Sequence, residues 1–274
     1  MRSVRGCDGL REGAWRSRLW AHALALVALV VFWGLRANAQ QVHQSPKVTV
    51  ATNPGFVPFE MLDTKSAQLV GFDIDLMNAL AKRAGFNPVY KSMDFSGIIP
   101  ALQAGSVEMA ISGISITAQR ARVVDFSLPY FTAGLSVLVP DSTDDVQGIE
   151  QLQGKRVATQ LGTTSVDFIK RRIPQARLIP YPDQSQMFMA VMTGAADAAV
   201  FDRPTLEYFV NVKGQGRVKV VGPLYQGEDY GIALPKRSPW LPRVNKALED
   251  MKHDGTLKAI VKTWFHSMPS VPTP

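Results

Sequence analysis

The chain has 274 residues, 46% of them hydrophobic and 19% charged, with a formal net charge of +7. Much of that charge comes from Arg2, Arg5, Arg11, Arg16, Arg18 and Arg36, which face only Asp8 and Glu12 in the same stretch. The remainder is only mildly basic and has no Lys/Arg run, which excludes nucleic acid as a partner. The one cysteine, Cys7, excludes a disulfide framework.

The first 39 residues read as a secretory signal peptide. A basic segment precedes the apolar run Trp20–Leu35, and Ala37-Asn38-Ala39 supplies a small-x-small cleavage pattern. About fifteen apolar residues is short for a membrane span, which needs roughly 20. Cleavage after Ala39 leaves Gln40–Pro274, enough for one large or two medium domains.

Along that segment, Lys47–Thr52 alternates and is β-branched, so it predicts a strand. Phe72–Ala84 carries a helical apolar stripe that Gly85 stops, with Asp73 placed as the N-cap acceptor. A strand at Pro88–Lys91, a helix at Ile98–Ala104 and a strand at Met109–Ser112 follow. Gly113 then turns the chain into a hydroxyl-rich loop that leads to Arg120 on a short helix. A guanidinium matches a carboxylate bidentately, and loop carbonyls and hydroxyls accept from an ammonium. Together these suit an α-amino acid; alone, the stretch reads more readily as an ordinary connection with a surface arginine.

After a strand at Gly134–Val139 the strand–helix rhythm restarts. Strands are predicted at Arg156–Thr159, Leu178–Tyr181, Ala198–Phe201 and Val218–Val221, and helices at Ser165–Arg172, Ser185–Thr193 and Pro204–Val212. A strand at Tyr230–Leu234 and helices at Leu241–Lys252 and Thr256–Phe265 close the chain. Alternating strands and helices imply mostly parallel sheets in an α/β fold, and two successive units fit two lobes.

Lys47–Phe59, Val70–Leu76, the run Met93–Gln103, Ile114–Phe126, Leu152–Val166, Ala196–Asp202 and the closing Asp254–Phe265 follow one pattern in register. The chain resembles the family 3 bacterial solute-binding proteins, and within them the glutamine-binding members of polar amino acid ABC transporters. The resemblance implies a two-lobe periplasmic binding protein fold, each lobe a mostly parallel sheet flanked by helices. It places lobe 1 at residues 40–131 and 230–274 and lobe 2 at 132–229. Hinge crossings are expected near Phe131–Leu135 and Gln226–Gly231.

The resemblance also implies the site. Arg120 and the N–H groups of the Thr163–Thr164 turn would hold a ligand carboxylate. Asp202, the Gly113 carbonyl and the Ser115 hydroxyl would hold an ammonium, with Ser112 contributing backbone. Phe56 and Phe95, each expected in a loop after a strand, would line the ligand side chain. Three positions depart from the glutamine-binding pattern: Asn53 replaces an Asp, Gln160 a Lys and Phe201 a His. The far end of the pocket is therefore neutral, which favours glutamine, asparagine or another uncharged amino acid over charged ones.

The resulting expectation is a monomeric periplasmic receptor that delivers an amino acid to an inner-membrane ABC permease, with no cofactor, no metal and no catalysis. Cyclohexadienyl and arogenate dehydratases share the scaffold, but they need a further acid. The sequence offers no cleft carboxylate beyond Asp202, and His22, His43, His253 and His266 lie in the leader, at a terminus or on the closing helices. A soluble sensor that presents its ligand to a receptor is the third possibility.

Overall fold

The computed structural model describes residues 45–265. The expected leader 1–39 with Cys7 and His22, together with His43, His266 and the Pro/Ser tail, lies outside the described residues.

The first sheet is built from β1 (Lys47–Thr52), β4 (Asn87–Ser92), β5 (Met109–Ala110), β6 (Val124–Phe126) and β12 (Ala233–Pro235), in the order β4-β1-β5-β12-β6. β1 runs parallel to β4 and β5, whereas β12 is antiparallel to β5 and β6. Helix α1 (Phe72–Ala84) connects β1 to β4, and α2 (Phe95–Gln103) connects β4 to β5. β4 and β5 thus flank β1 on opposite sides, and the chain reverses its direction of travel across the sheet beside β1. In open α/β sheets such a switch point leaves a crevice at the carboxyl ends of the strands. Asn53 follows β1 and Ser112–Gly113 follow β5, so both enter that crevice.

The second sheet repeats the device. Its order is β11-β7-β10-β8-β9, made of β7 (Phe131–Pro140), β8 (Arg156–Gln160), β9 (Arg177–Tyr181), β10 (Ala198–Asp202) and β11 (Val218–Tyr230). β8 is parallel to β9 on one side and to β10 on the other. Helix α4 (Thr164–Arg172) joins β8 to β9, α5 (Gln184–Met192) joins β9 to β10, and α6 (Arg203–Val212) follows β10. Gln160 and Asp202 therefore end strands at a second switch point.

β7 and β11 pair antiparallel over their whole length, from Pro140 and Val218 down to Phe131 and Tyr230. Register shifts fall between Val221 and Tyr225 and between Tyr225 and Gly227. At its far end this ribbon joins the aromatic core beneath the first sheet, where the rings of Phe72, Phe131, Tyr230 and Phe265 stand 5.1–5.8 Å from Phe59. The closing helices α7 (Leu241–His253) and α8 (Thr256–Phe265) pack on α1, and Phe265 is buried in that core.

Several predicted bounds move, with physical causes. The strand expected at Tyr230–Leu234 splits, because β11 continues from Val218 to Tyr230 and β12 restarts at Ala233. Gly231 sits at the break, where a Cβ would come within 2.9 Å of the Ile116 side chain. The small hairpin β2 (Met61–Leu62) with β3 (Leu69–Val70) and the four-residue helix α3 (Ala118–Ala121) complete the fold.

Asp73 is not the N-cap of α1. Gly71 takes that position at φ 139°, where a Cβ would lie 2.1 Å from the Phe59 carbonyl oxygen. Asp73 is instead fully buried, its carboxylate turned toward Gly113. Gly71→Ala should therefore destabilise the protein by about 2–3 kcal/mol through backbone strain and overpacking. At the αL cap Gly85 a Cβ meets nothing, so Gly85→Ala should cost only about 1 kcal/mol. Urea unfolding midpoints of the two variants check the contrast.

Candidate functional site

One cavity lies between the two switch points. It is lined by Asn53, Phe56, Phe95, Ser112, Gly113, Ser115, Arg120, Gln160, Thr163, Thr164, Phe201 and Asp202, with Gln184 in addition. The structure thus gathers all twelve residues singled out in the sequence around one space. Its free volume is about 10 Å3, room for about one water molecule. The surfaces from the two sheets are in contact: Gln160 Nε2 donates to Asn53 Oδ1 at 3.0 Å, and Arg120 Nη2 donates to the Gly162 carbonyl at 3.1 Å.

Arg120 is placed from both ends. Its backbone N–H is capped by the Thr117 hydroxyl at 3.1 Å, which starts α3. Nη1 donates to the Ser115 carbonyl at 2.9 Å, and the guanidinium lies 5.4 Å over the Phe95 ring. Burial pulls its pKa down, and the carboxylates of Glu228 and Asp202 oppose that shift. A guanidinium has five donors, so capacity remains for a carboxylate.

Asp202 ends β10 and stands at the N-cap position of α6, but its side chain does not cap the helix. Oδ1 accepts from the Tyr230 hydroxyl at 2.7 Å. Burial, then the nearby Glu228 charge, pushes the Asp202 pKa up to about 7, against the hydrogen bond from Tyr230 and the charge of Arg120.

Gly113 holds φ 52° with the Phe56 ring pressed on it, so that a Cβ would fall 2.1 Å from a ring carbon. Phe56 is buried, stacked on Phe59 at 4.6 Å and edge-on to Phe201 at 5.9 Å. It therefore serves core and cavity together. Phe95 opens α2 and does not lie in a loop.

Two features escaped the sequence reading. The first adds to it: Asp202 is the only carboxylate among the residues lining the cavity, but a second stands behind Ser115 and Thr164. Glu228, on β11, is buried and accepts at Oε2 from Ser115 Oγ (2.5 Å) and Thr164 Oγ1 (2.7 Å), and at Oε1 from Gln226 Nε2 (2.5 Å). The Ser115 proton is thereby committed, which leaves the hydroxyl lone pairs for an ammonium. The Thr164 hydroxyl is committed in the same way, so an anion at this turn meets backbone N–H groups at the positive end of α4. The second is Gln184, whose helix starts one residue earlier than the sequence suggests. The position after a second-sheet strand was a usable signal, because cleft residues concentrate there.

Behind the cavity lies a buried carboxyl pair. Glu60 accepts a short hydrogen bond from Ser112 Oγ, and Asp73 Oδ2 accepts from the Gly113 N–H (2.9 Å) and the Tyr130 hydroxyl (3.1 Å). Glu60 Oε2 and Asp73 Oδ1 are buried with no hydrogen-bond partner among the described residues. Burial and the charge of Asp73 raise the Glu60 pKa well above its ordinary value. Burial lifts Asp73 to about 7, against its hydrogen bonds to Gly113 and Tyr130.

Residues 48–267 match the family described as bacterial extracellular solute-binding proteins, family 3. The putative ABC transporter arginine-binding protein 2 of Escherichia coli K12 is 30% identical, over 88% of this chain and 97% of its own. Among solved structures, an ancestral arginine-binding protein bound to glutamine is 41% identical, with a TM-score of 0.77 over 80% of this chain and 97% of its own. An ancestral amino acid-binding protein described as a precursor of cyclohexadienyl dehydratase is 38% identical, with a TM-score of 0.74 over 80% and 95%. These structures share the arrangement of two helix-flanked sheets.

The raised carboxyl pKa values fix a sign for stability. The folded state holds these protons more tightly than the unfolded chain does, so their contribution is full below about pH 4 and is lost as pH rises through about 7. Urea unfolding should give a lower midpoint at pH 8 than at pH 5. Asp73→Asn keeps the acceptor for Gly113 and should flatten much of that slope, which is at most about 1.4 kcal/mol per pH unit for one proton.

Proposed function

The chain belongs to the bacterial extracellular solute-binding proteins of family 3, and from that premise we propose that it is the periplasmic receptor of an amino acid ABC importer. It is exported by cleavage after Ala39 and captures an uncharged polar L-amino acid, glutamine first. It then presents that ligand to an inner-membrane permease as a monomer. Residues 40–131 and 230–274 form one lobe and 132–229 the other, with β7 and β11 as the hinge. The observation that carries this reading is the pairing of opposite charges in one cavity. Arg120 from the first switch point and Asp202 from the second both line it. A zwitterion bridges them, carboxylate to guanidinium and ammonium to Asp202, and so gives each buried charge a partner.

The lobes already touch through Gln160–Asn53 and Arg120–Gly162, so the ligand enters by hinge opening. Closure then removes water from the charge-assisted contacts and strengthens them. The permease responds to the closed population. Glu228 bears on the dehydratase alternative because it is the further carboxylate such chemistry needs. Its oxygens are taken up by Ser115, Thr164 and Gln226, and it does not line the cavity. Binding is the function the arrangement supports.

The protein, unfolded and refolded to strip ligand, is screened by thermal unfolding against free amino acids. A ligand at about a thousand times its Kd adds about 4 kcal/mol, a shift of several degrees. Neutral amino acids led by glutamine should raise the midpoint and aspartate should not; a panel without effect overturns the reading. Arg120→Ala should remove the shift for every ligand while leaving the far-UV circular dichroism unchanged.

Affinity should also depend on pH. Below about pH 7 the free protein holds a proton on Asp202 that an incoming ammonium must displace. Calorimetric Kd values should therefore weaken from pH 8 to pH 5, by up to about tenfold per unit, with proton release on binding. A flat profile would show that binding displaces no proton from Asp202.

A further inference from the structure

Gln184 is 3% exposed and lines the cavity, and its Oε1 is buried with no hydrogen-bond partner among the described residues. It stands at the end away from the clamp. Arg120, Thr163 and Thr164 border a surface cleft shared with Thr117 and Gln119, whereas Asn53 and Gln184 border another shared with Ser92 and Asp94.

Oxygen and nitrogen of a carboxamide look alike, so the identity of the free atom needs an argument. The backbone supplies one. Asn53 meets the Met93 carbonyl at 3.0 Å, and a carbonyl can only accept, so the Asn53 nitrogen lies there and its oxygen faces away. The Gln160 amide meets that oxygen at 3.0 Å and the Pro182 carbonyl at 3.4 Å, both acceptors, so the group placed there is its nitrogen. Gln160 Oε1 therefore turns toward Gln184, which donates to it through Nε2 at 3.4 Å. What remains is the Gln184 oxygen. Backbone carbonyls thus fix the polarity of three carboxamides in series, and the chain ends on an unpartnered acceptor of a residue that lines the cavity.

Resting on the amino acid-receptor reading, we propose that Gln184 is a specificity-determining residue that selects ligands whose side chain donates an N–H, a carboxamide above all. A buried acceptor without a donor is unfavourable, and the ligand's N–H relieves it. Glutamate has nearly the shape of glutamine but brings only acceptors at neutral pH. Methionine fills similar space and brings no N–H. A site built around a hydrogen bond rejects analogues that lack the group far more strongly than an apolar pocket rejects a missing methylene.

The test is calorimetric titration of the stripped protein with glutamine, arginine, glutamate and methionine. Glutamine should bind at least about a hundredfold more tightly than glutamate or methionine. Gln184→Leu should lower the glutamine-to-methionine affinity ratio at least about tenfold, because the acceptor is gone. Gln184→Glu keeps an acceptor and adds charge, so it should raise arginine relative to glutamine. Glutamate or methionine matching glutamine in the native protein, or a glutamine-to-methionine ratio unchanged in Gln184→Leu, would overturn the assignment. If Gln184→Leu fails to fold, an unchanged arginine-to-glutamine ratio in Gln184→Glu overturns it instead. Amino acid binding that is lost in Arg120→Ala but indifferent to Gln184 would leave the receptor reading standing alone. If no amino acid binds the native protein, both fall.

Discussion

The hydrogen bond from Tyr230 to Asp202 joins the parts on which everything else depends. Tyr230 ends β11, is fully buried, and stacks on Phe131 at 5.8 Å within the aromatic core that also holds Phe59. Its hydroxyl reaches the last residue of β10 in the second sheet. A carboxyl group buried to this degree is costly unless something donates to it. Tyr230 supplies that donor from the ribbon connecting the sheets, so core packing, the join between the sheets and the surroundings of Asp202 meet at one point.

Around it, two sheets with the same winding present their switch points to each other. Neither crevice alone is a complete site. The first contributes a guanidinium, a glycine turn and two aromatic rings; the second contributes a carboxylate and a helix N-terminus. In the proposed receptor, charge at one end of the cavity and three carboxamides at the other divide the work of recognition: the clamp reads what all amino acids share, and the carboxamides read what distinguishes them.

Much of this was legible in the sequence, because the signals are local. Gly85 ends α1 in the left-handed conformation that its position suggests, and the periodicity of α7 and α8 reports the faces they bury. The chain order of strands and helices placed Arg120, Gln160 and Asp202 at strand ends or just beyond them. Glu228 was hidden for a physical reason. Which face of β11 it occupies depends on two register shifts upstream: the first adds two residues to β11 and keeps the alternation, and the second adds one and reverses it. Asp73 misled differently. An acid near a helix start looks the same whether it caps the helix or turns inward, and only the buried Gly113 N–H and Tyr130 hydroxyl decide between them. The Glu60–Asp73 pair buries carboxyls from a turn and a helix against the Ser112–Gly113 turn, which no spacing rule encodes.

Gly162 has a consequence beyond its turn. It holds φ 80°, and a Cβ there would sit 3.0 Å from the Cα and Cβ of Ser96 across the cleft. The glycine therefore marks the clearance at which the two surfaces meet. In the proposed receptor, a larger residue at 162 would act as a doorstop: the jaws could still load from one side but could not shut, and capture and presentation to a membrane partner would come apart at this position.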